Sequence, residues 1–348
     1  MIVTVVAQQD TEPATFVKLM SRMLIVAVSV TASLAALEGA VRLYGRLTNQ
    51  PRGMTFDEDL GWRPVPNVQK IGAVWGVSRP ASTTSHGWRD REHSYEKAPG
   101  VRRVVAIGDS FTFGTDVDDG ERFSDLLDHR FNHVEVVNLG VAGYGTDQEL
   151  RLLETVGFRY QPDIVILTVC VLNDLDDIGY ERLYSWPKPY YSLMSGPLQL
   201  WRPEKTWDIR VRTSSDLVEF AYQRLMKETN NSRRGAKAAT DTMPVFAALI
   251  DRFVGLTARH GARLLAVLAY GPEGVRGDFT MLGRQITEVF ARLGVPTLDT
   301  RMLFATQSQD PNKLLYSSVG LHWNARGHAV VADGIAQLMH DIGFPDSQ

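Results

Sequence analysis

Ser110 ends the run Val-Val-Ala-Ile-Gly-Asp-Ser at 104–110, and His322 stands far downstream in Val-Gly-Leu-His-Trp-Asn-Ala-Arg-Gly-His at 319–328. A serine hydroxyl is a weak nucleophile until a base takes its proton, and an imidazole is well suited to take it. The pair therefore points to acyl transfer through a covalent acyl-serine. Three residues before His322, where an acid would orient the ring, stands Val319. The chain offers a nucleophile and a base but no evident acid.

Bringing two such distant segments together requires a scaffold. From residue 101 onward, apolar runs alternate with amphipathic ones, predicting strands at 104–107, 134–138, 164–171, 263–269 and 295–299. Between and after them the pattern predicts helices at 122–131, 146–156, 242–260, 279–293 and 324–342. Strands followed by helices at this spacing imply parallel pairing with right-handed crossovers: an α/β protein, a flavodoxin-like three-layer α/β/α sandwich on a parallel sheet. The carboxyl ends of parallel strands form one edge, and sites assemble there. Ser110, the stretch 138–143, Asn173 and the segment before His322 all fall on that edge, and their convergence singles them out. Gly108 lets the chain turn at the strand tip, which presents Ser110 and sets its own amide near any oxygen anion that forms.

The alternation breaks at about 178–242, where Tyr180, Tyr184, Trp186, Tyr190, Tyr191, Trp201 and Trp207 lie among prolines. This reads as an insertion over the active face, either a packed excursion or a lid or substrate wall. Residues 46–100 form an irregular lead-in packed on the hydrolase-like domain at 101–348. Residues 1–45 hold a membrane-targeting signal: 23–37 is apolar or small throughout, follows Lys18 and Arg22, and is closed by Glu38. Those fifteen residues fall short of the roughly 20 needed for a span unless the helix runs on to Tyr44, so a signal anchor and a cleaved signal peptide are both open. The domain is expected outside the cytoplasmic membrane, anchored to it or, after cleavage, secreted. Membrane contact is expected through the N-terminal segment only.

Composition narrows the partners. A net charge of −3 with dispersed Lys and Arg gives no electrostatic footprint for nucleic acid. No Gly-x-Gly-x-x-Gly or P-loop occurs, so no cofactor is expected. The histidines at 86, 93, 129, 133, 260 and 340 lack metal-ligand spacing, and no metal is expected. Cys170, the single cysteine, sits in an apolar strand and reads as core.

Gly108-Asp109-Ser110-Phe111 resembles the first block of the SGNH, or GDSL, hydrolases. Residues 138–143 (Asn-Leu-Gly-Val-Ala-Gly) resemble the second, Asn173-Asp174 the third, and His322-Trp323-Asn324 with Gly327-His328 the last. Order and spacing agree over about residues 101–345. Leu60-Gly61-Trp62-Arg63 and Gly87-Trp88-Arg89-Asp90 further resemble the membrane-anchored branch of that family. The resemblance implies that Ser110 is the nucleophile and His322 the base. It also implies an oxyanion hole made by the amides of Ser110 and Gly143 and the side chain of Asn173. Such donors stabilise the charge that develops in acyl transfer, and losing one typically costs about 10²–10³ in rate.

Two positions depart from the family pattern. Val171 replaces the glycine usual two residues before the third-block asparagine, which narrows that part of the pocket, and Val319 replaces the usual aspartate. Three arrangements are open: an unassisted Ser110–His322 dyad, an acceptor borrowed from a backbone carbonyl or Asp299, or a weakened catalyst. Asp116, Asp118 and Asp119 read as a solvated loop rather than a calcium site, because the following glycine and glutamate are misplaced for an EF-hand. Asp174, Asp176 and Asp177 read as a loop or helix start, and His328 as structural support. The expected function is a serine esterase or acyl hydrolase whose partner is an ester substrate such as an acylated glycan or lipid. The alternatives are an O-acyltransferase acting on an envelope glycan with the same site, and a catalytically weakened binding or assembly protein.

Overall fold

The computed structural model describes residues 12–47, 53–68, 81–193, 196–226, 242–275, 280–318 and 320–344. A long helix, α1 (Glu12–Leu47), precedes a hairpin of β1 (Met54–Asp57) and β2 (Gly61–Pro64). The first half of the main domain follows as β3 (Arg102–Ile107), α2 (Ser110–Phe113), α3 (Phe123–Arg130), β4 (Val134–Asn138), α4 (Thr146–Thr155), β5 (Ile164–Cys170) and α5 (Asp174–Asp177). Two small antiparallel hairpins come next, β6 (Arg182–Leu183) with β7 (Trp186–Pro187) and β8 (Tyr190–Ser192) with β9 (Gln199–Trp201), then helices α6 (Trp207–Ser214) and α7 (Asp216–Met226). The second half consists of α8 (Met243–Arg259), β10 (Arg263–Ala269), α9 (Pro272–Val275), α10 (Thr280–Arg292), β11 (Thr297–Asp299), α11 (Thr300–Ala305), α12 (Pro311–Leu315) and α13 (Ala325–Asp341).

Five strands form one sheet in the order β11-β10-β5-β3-β4, every pair parallel. Numbered by their own succession in the chain this is 2-1-3-4-5, the flavodoxin-like winding, whose direction reverses between β3 and β5. A crevice opens at the carboxyl ends of strands that part in this way, and Ser110 stands three residues beyond the end of β3. All seven residues of β5 are buried, as befits a parallel strand covered on both faces. Side-chain alternation sends Val105 and Ile107 to a core shared with Leu153, Phe246 and Phe253 of α4 and α8. Val104 and Ala106 enter the opposite core with Phe123 and Leu127 of α3 and Val331 and Ile335 of α13. The three layers expected of the sequence are present.

Several boundaries move for identifiable reasons. β5 stops at Cys170, one residue early, where the Cys170 amide donates to Asp174 Oδ2 at 2.8 Å. The last strand starts at Thr297, just after Pro296, which has no amide hydrogen to give a ladder. Thr242 makes no side-chain cap to α8, while Pro244 does occupy its first turn. The lead-in is more regular than expected, since β1 and β2 pair within it; 69–80 lies outside the described residues. Phe279, the expected start of the helix at 279–293, also lies outside them.

Within α1, Phe16–Gly45 is long and apolar enough to cross a membrane, an 18-residue window of it reaching mean hydropathy 2.0. The helix does not end with the apolar run at residue 37. Glu38 instead docks it to the body by accepting from Ser215 Oγ at 2.8 Å and from the amides of Asp216 and Leu217 at 2.9 Å each. A carboxylate from one helix thus caps the amino end of another, satisfying donors that α7 cannot pair internally.

Candidate active site

The turn after β3 is closed by Asp109, whose Oδ1 accepts from the Phe111 amide at 2.9 Å and makes Ser110 the first residue of α2. On the opposite bank, Asn324 caps α13 through Gly327 N at 2.9 Å and ties back to the carbonyls of Leu314 and Tyr316 at 3.0 Å each. The Ser317 amide donates to His322 O at 2.9 Å, and the fully buried Trp323 fastens the segment to the core. Held from both sides, His322 sets Nε2 2.8 Å from Ser110 Oγ. Phe111 meets the imidazole edge-on, with centroids 5.1 Å apart.

The other ring nitrogen faces a residue the sequence reading had set aside. His322 Nδ1 lies 3.3 Å from Asp116 Oδ2, and the Asp116 side chain is only 3 % exposed. The expected solvated loop is therefore, at Asp116, a buried carboxylate against the imidazole. Asp299 is elsewhere: it caps α11 through Arg301 N at 2.9 Å and pairs with the Arg301 guanidinium at 3.2 Å. Val319 lies outside the described residues. A carboxylate against Nδ1 selects the tautomer with its proton there, leaving Nε2 free to accept from the serine.

Two features put Asp116 in place. Arg89, fully buried, donates to Phe113 O at 3.1 Å, to Gly114 O and to Val117 O at 2.8 Å, and pairs with Asp119 at 2.9 Å, clasping the loop from beneath. Its motif in the lead-in, Gly87-Trp88-Arg89-Asp90, is thereby tied to the site. Above the loop, Gly320 makes room: a Cβ there would stand 2.1 Å from Asp116 Oδ2. Sequence reasoning missed Asp116 because its partner is 206 residues away and two further aspartates follow it at once. The available signal was the buried-type arginine upstream, which only a structure connects to this loop.

Of the remaining expected residues, Gly143 belongs to a stretch tied to the serine turn. The amides of Leu139 and Val141 donate to Ala106 O at 2.8 Å and Gly108 O at 3.0 Å, laying the 138–143 stretch beside the serine turn. Gly143 there has φ +83°, a conformation that favours glycine. Asn173, half-buried, donates one amide hydrogen to Asp177 Oδ2 at 3.0 Å, and the side-chain amide has a second to give.

Residues 106–330 match the model of the GDSL-like lipase/acylhydrolase family. The chain belongs to that family. It is an ester-hydrolysing enzyme on that ground. No curated protein matches the sequence. Solved structures similar to this hydrolase include a lipase/acylhydrolase from Enterococcus faecalis, 15% identical with a TM-score of 0.43, the match covering 70% of this chain and 97% of that one. Another is LAE5, an alpha/beta hydrolase from the metagenome of Lake Arreo, at 18% identity and TM-score 0.44 over 71% and 98% of the two chains. A mutant of Axe2, an acetyl-xylooligosaccharide esterase from a Geobacillus, is 16% identical with TM-score 0.43 over 73% and 99%.

Beneath the serine the hydrolase buries a second set of acids. Asp109, Glu149 and Asp174 are each fully or almost fully buried, and both Glu149 oxygens and Asp174 Oδ1 lack a hydrogen-bond partner among the described residues. Burial pushes all three carboxyls up from their ordinary range, and their mutual repulsion pushes Glu149 and Asp174 further. Asp109, Asp174 and Cys170 place ligand-type atoms within 4.8 Å of one another. Burial also raises the Cys170 thiol, which disfavours the thiolate that a cation would need. His328, fully buried, accepts from the Phe123 amide at 3.2 Å, and burial brings its pKa down to about 3. It stays neutral and serves packing between α3 and α13.

Proposed function

We propose that this hydrolase is a serine esterase in which Ser110, His322 and Asp116 act as a catalytic triad. Ser110 Oγ attacks the ester carbonyl carbon while its proton passes to His322 Nε2, and Asp116 stabilises the imidazolium so formed. The carbonyl oxygen becomes an anion held by the amides of Ser110 and Gly143 and by Asn173 Nδ2. Collapse breaks the bond to the alkoxide, which takes the proton from Nε2 and leaves acyl-Ser110. Water then repeats the sequence and releases the acid. The observation that carries this reading is the imidazole's double contact, 2.8 Å to Ser110 and 3.3 Å to Asp116. It weighs against a silent protein, since a buried carboxylate from another loop stands against the imidazole where the sequence offered only Val319.

The substrate would be an ester on an envelope glycan or lipid, met outside the cytoplasmic membrane by a domain tethered through α1. Lys18 and Arg22 before the apolar run support that orientation. The test is a fluorophosphonate probe on the full chain, with Ser110→Ala beside it. Ser110 should label, and the variant should lose both labelling and turnover of p-nitrophenyl acetate. An unlabelled parent, or a variant as active as the parent, would sink the assignment. Product analysis with and without an added glycan acceptor separates hydrolysis from transfer.

A further inference from the structure

The turn joining β6 to β7 is built from residues that resist its shape. Leu183 pairs with Trp186, so Tyr184 and Ser185 are the two residues of a tight hairpin turn, with φ of +49° and +65°. Such turns normally carry Asn or Gly, and a tyrosine there is strained. Strain of this kind persists only where the surroundings hold it.

They do so here from several sides. The carbonyl of Ser185 accepts from Arg212 Nη1 at 2.9 Å and Arg182 Nη2 at 3.2 Å. Arg212 is itself buried, is paired with Glu219 at 2.7 Å, and stacks over the rings of Trp186 and Tyr222 at 4.6 and 4.0 Å. Below the turn, the fully buried Lys188 pairs with Asp147 and donates to Asp177 O at 3.1 Å. The α7 cap supplied by Glu38 lies between Arg212 and Glu219, which connects the turn to α1.

What the turn holds in place is the Tyr184 ring. It meets Trp62 edge-on at 6.2 Å, and a Cβ added to Gly143 would lie 2.6 Å from Tyr184 Cε2. The ring thus occupies the space a side chain at Gly143 would fill, directly beside the amide assigned to the oxyanion.

We propose that Tyr184 sets acyl-chain length at the ester site, its ring closing the space beside Gly143 so that a short acyl group such as acetyl is accepted and a long one refused. The proposal rests on the esterase reading above. Its test uses the full chain and the kcat/KM values for p-nitrophenyl acetate and octanoate. Tyr184→Gly removes the ring with a residue at home at that φ, so the variant should melt no lower than the parent. It should raise the octanoate-to-acetate ratio at least tenfold, while Tyr184→Phe keeps the parent ratio. An unchanged ratio in Tyr184→Gly, or equal losses on both esters in the two variants, would overturn the proposal while Ser110 still labels with the probe. A parent that neither labels nor hydrolyses either ester would overturn the esterase reading, and this one with it.

Discussion

Carboxylates flank Ser110 on two sides, and the two sides behave in opposite ways. Above it, Asp116 faces an imidazole that can carry the balancing charge, so ionisation has a partner. Below it, Glu149 and Asp174 face other acids in a buried setting, and burial and that repulsion push both carboxyls up, while Asp109 beside them also faces the Phe111 amide and the imidazole. Both environments are almost closed to water. Burial alone is therefore a poor guide to an acid's role; the groups it faces matter as well.

The sharpest way to break that contrast is to neutralise the upper acid. Asp116→Asn keeps the shape but favours the wrong imidazole tautomer, and kcat on a short aryl ester should fall by about 10³–10⁴ with little change in KM. Restoration of activity by adding Val319→Asp to an Asp116→Ala chain would show that one position can substitute for the other. In the parent the same Val319→Asp should lower activity, because Nδ1 already has its acceptor and a second carboxylate is surplus. A parent stimulated by Val319→Asp would mean that Asp116 does not serve.

A smaller effect is expected from crowding that acid without removing it. Gly320→Ala places a methyl group 2.1 Å from Asp116 Oδ2, and the oxygen that must move is the one facing the ring. Turnover should drop by roughly 10–100-fold, in line with the cost of slight misplacement of catalytic groups. The melting temperature should change little. Full activity in Gly320→Ala would place the functional acceptor elsewhere.

The smallest effect concerns the lower acids and is read in stability rather than rate. Their folded pKa values lie above the unfolded values near 4, so the folded state binds more protons in the window between the two. The stability this linkage confers is complete below the unfolded pKa and is lost as pH rises through the folded one. Glu149→Gln removes one such titration while keeping shape and neutrality. Urea unfolding between pH 5 and 9 should show a shallower decline for the variant than for the parent. Parallel curves would mean that Glu149 is ionised and paired in the native state.

Much of the architecture was legible because its signals are local. Apolar runs such as 104–107 and 164–170 need only their own residues to declare a buried parallel strand, and a Gly-Asp-Ser turn needs only its neighbours. Ser110 and His322 could be named as candidates from their motifs alone, although their meeting at 2.8 Å is a property of the folded chain. Glu38 looked like the end of an apolar run, and it became the cap of α7 because the helix continued past it. Asp116 shows the limit most clearly. Its type and its neighbours describe a polar loop, and nothing within several residues distinguishes it from Asp118 or Asp119. Only folding brings Arg89 beneath the loop, the bare backbone of Gly320 above it and His322 against it. The sequence by itself determined the strands and singled out Ser110 and His322 as candidates; the tertiary structure alone decided which carboxylate stands against the imidazole, because that pairing joins residues 206 positions apart.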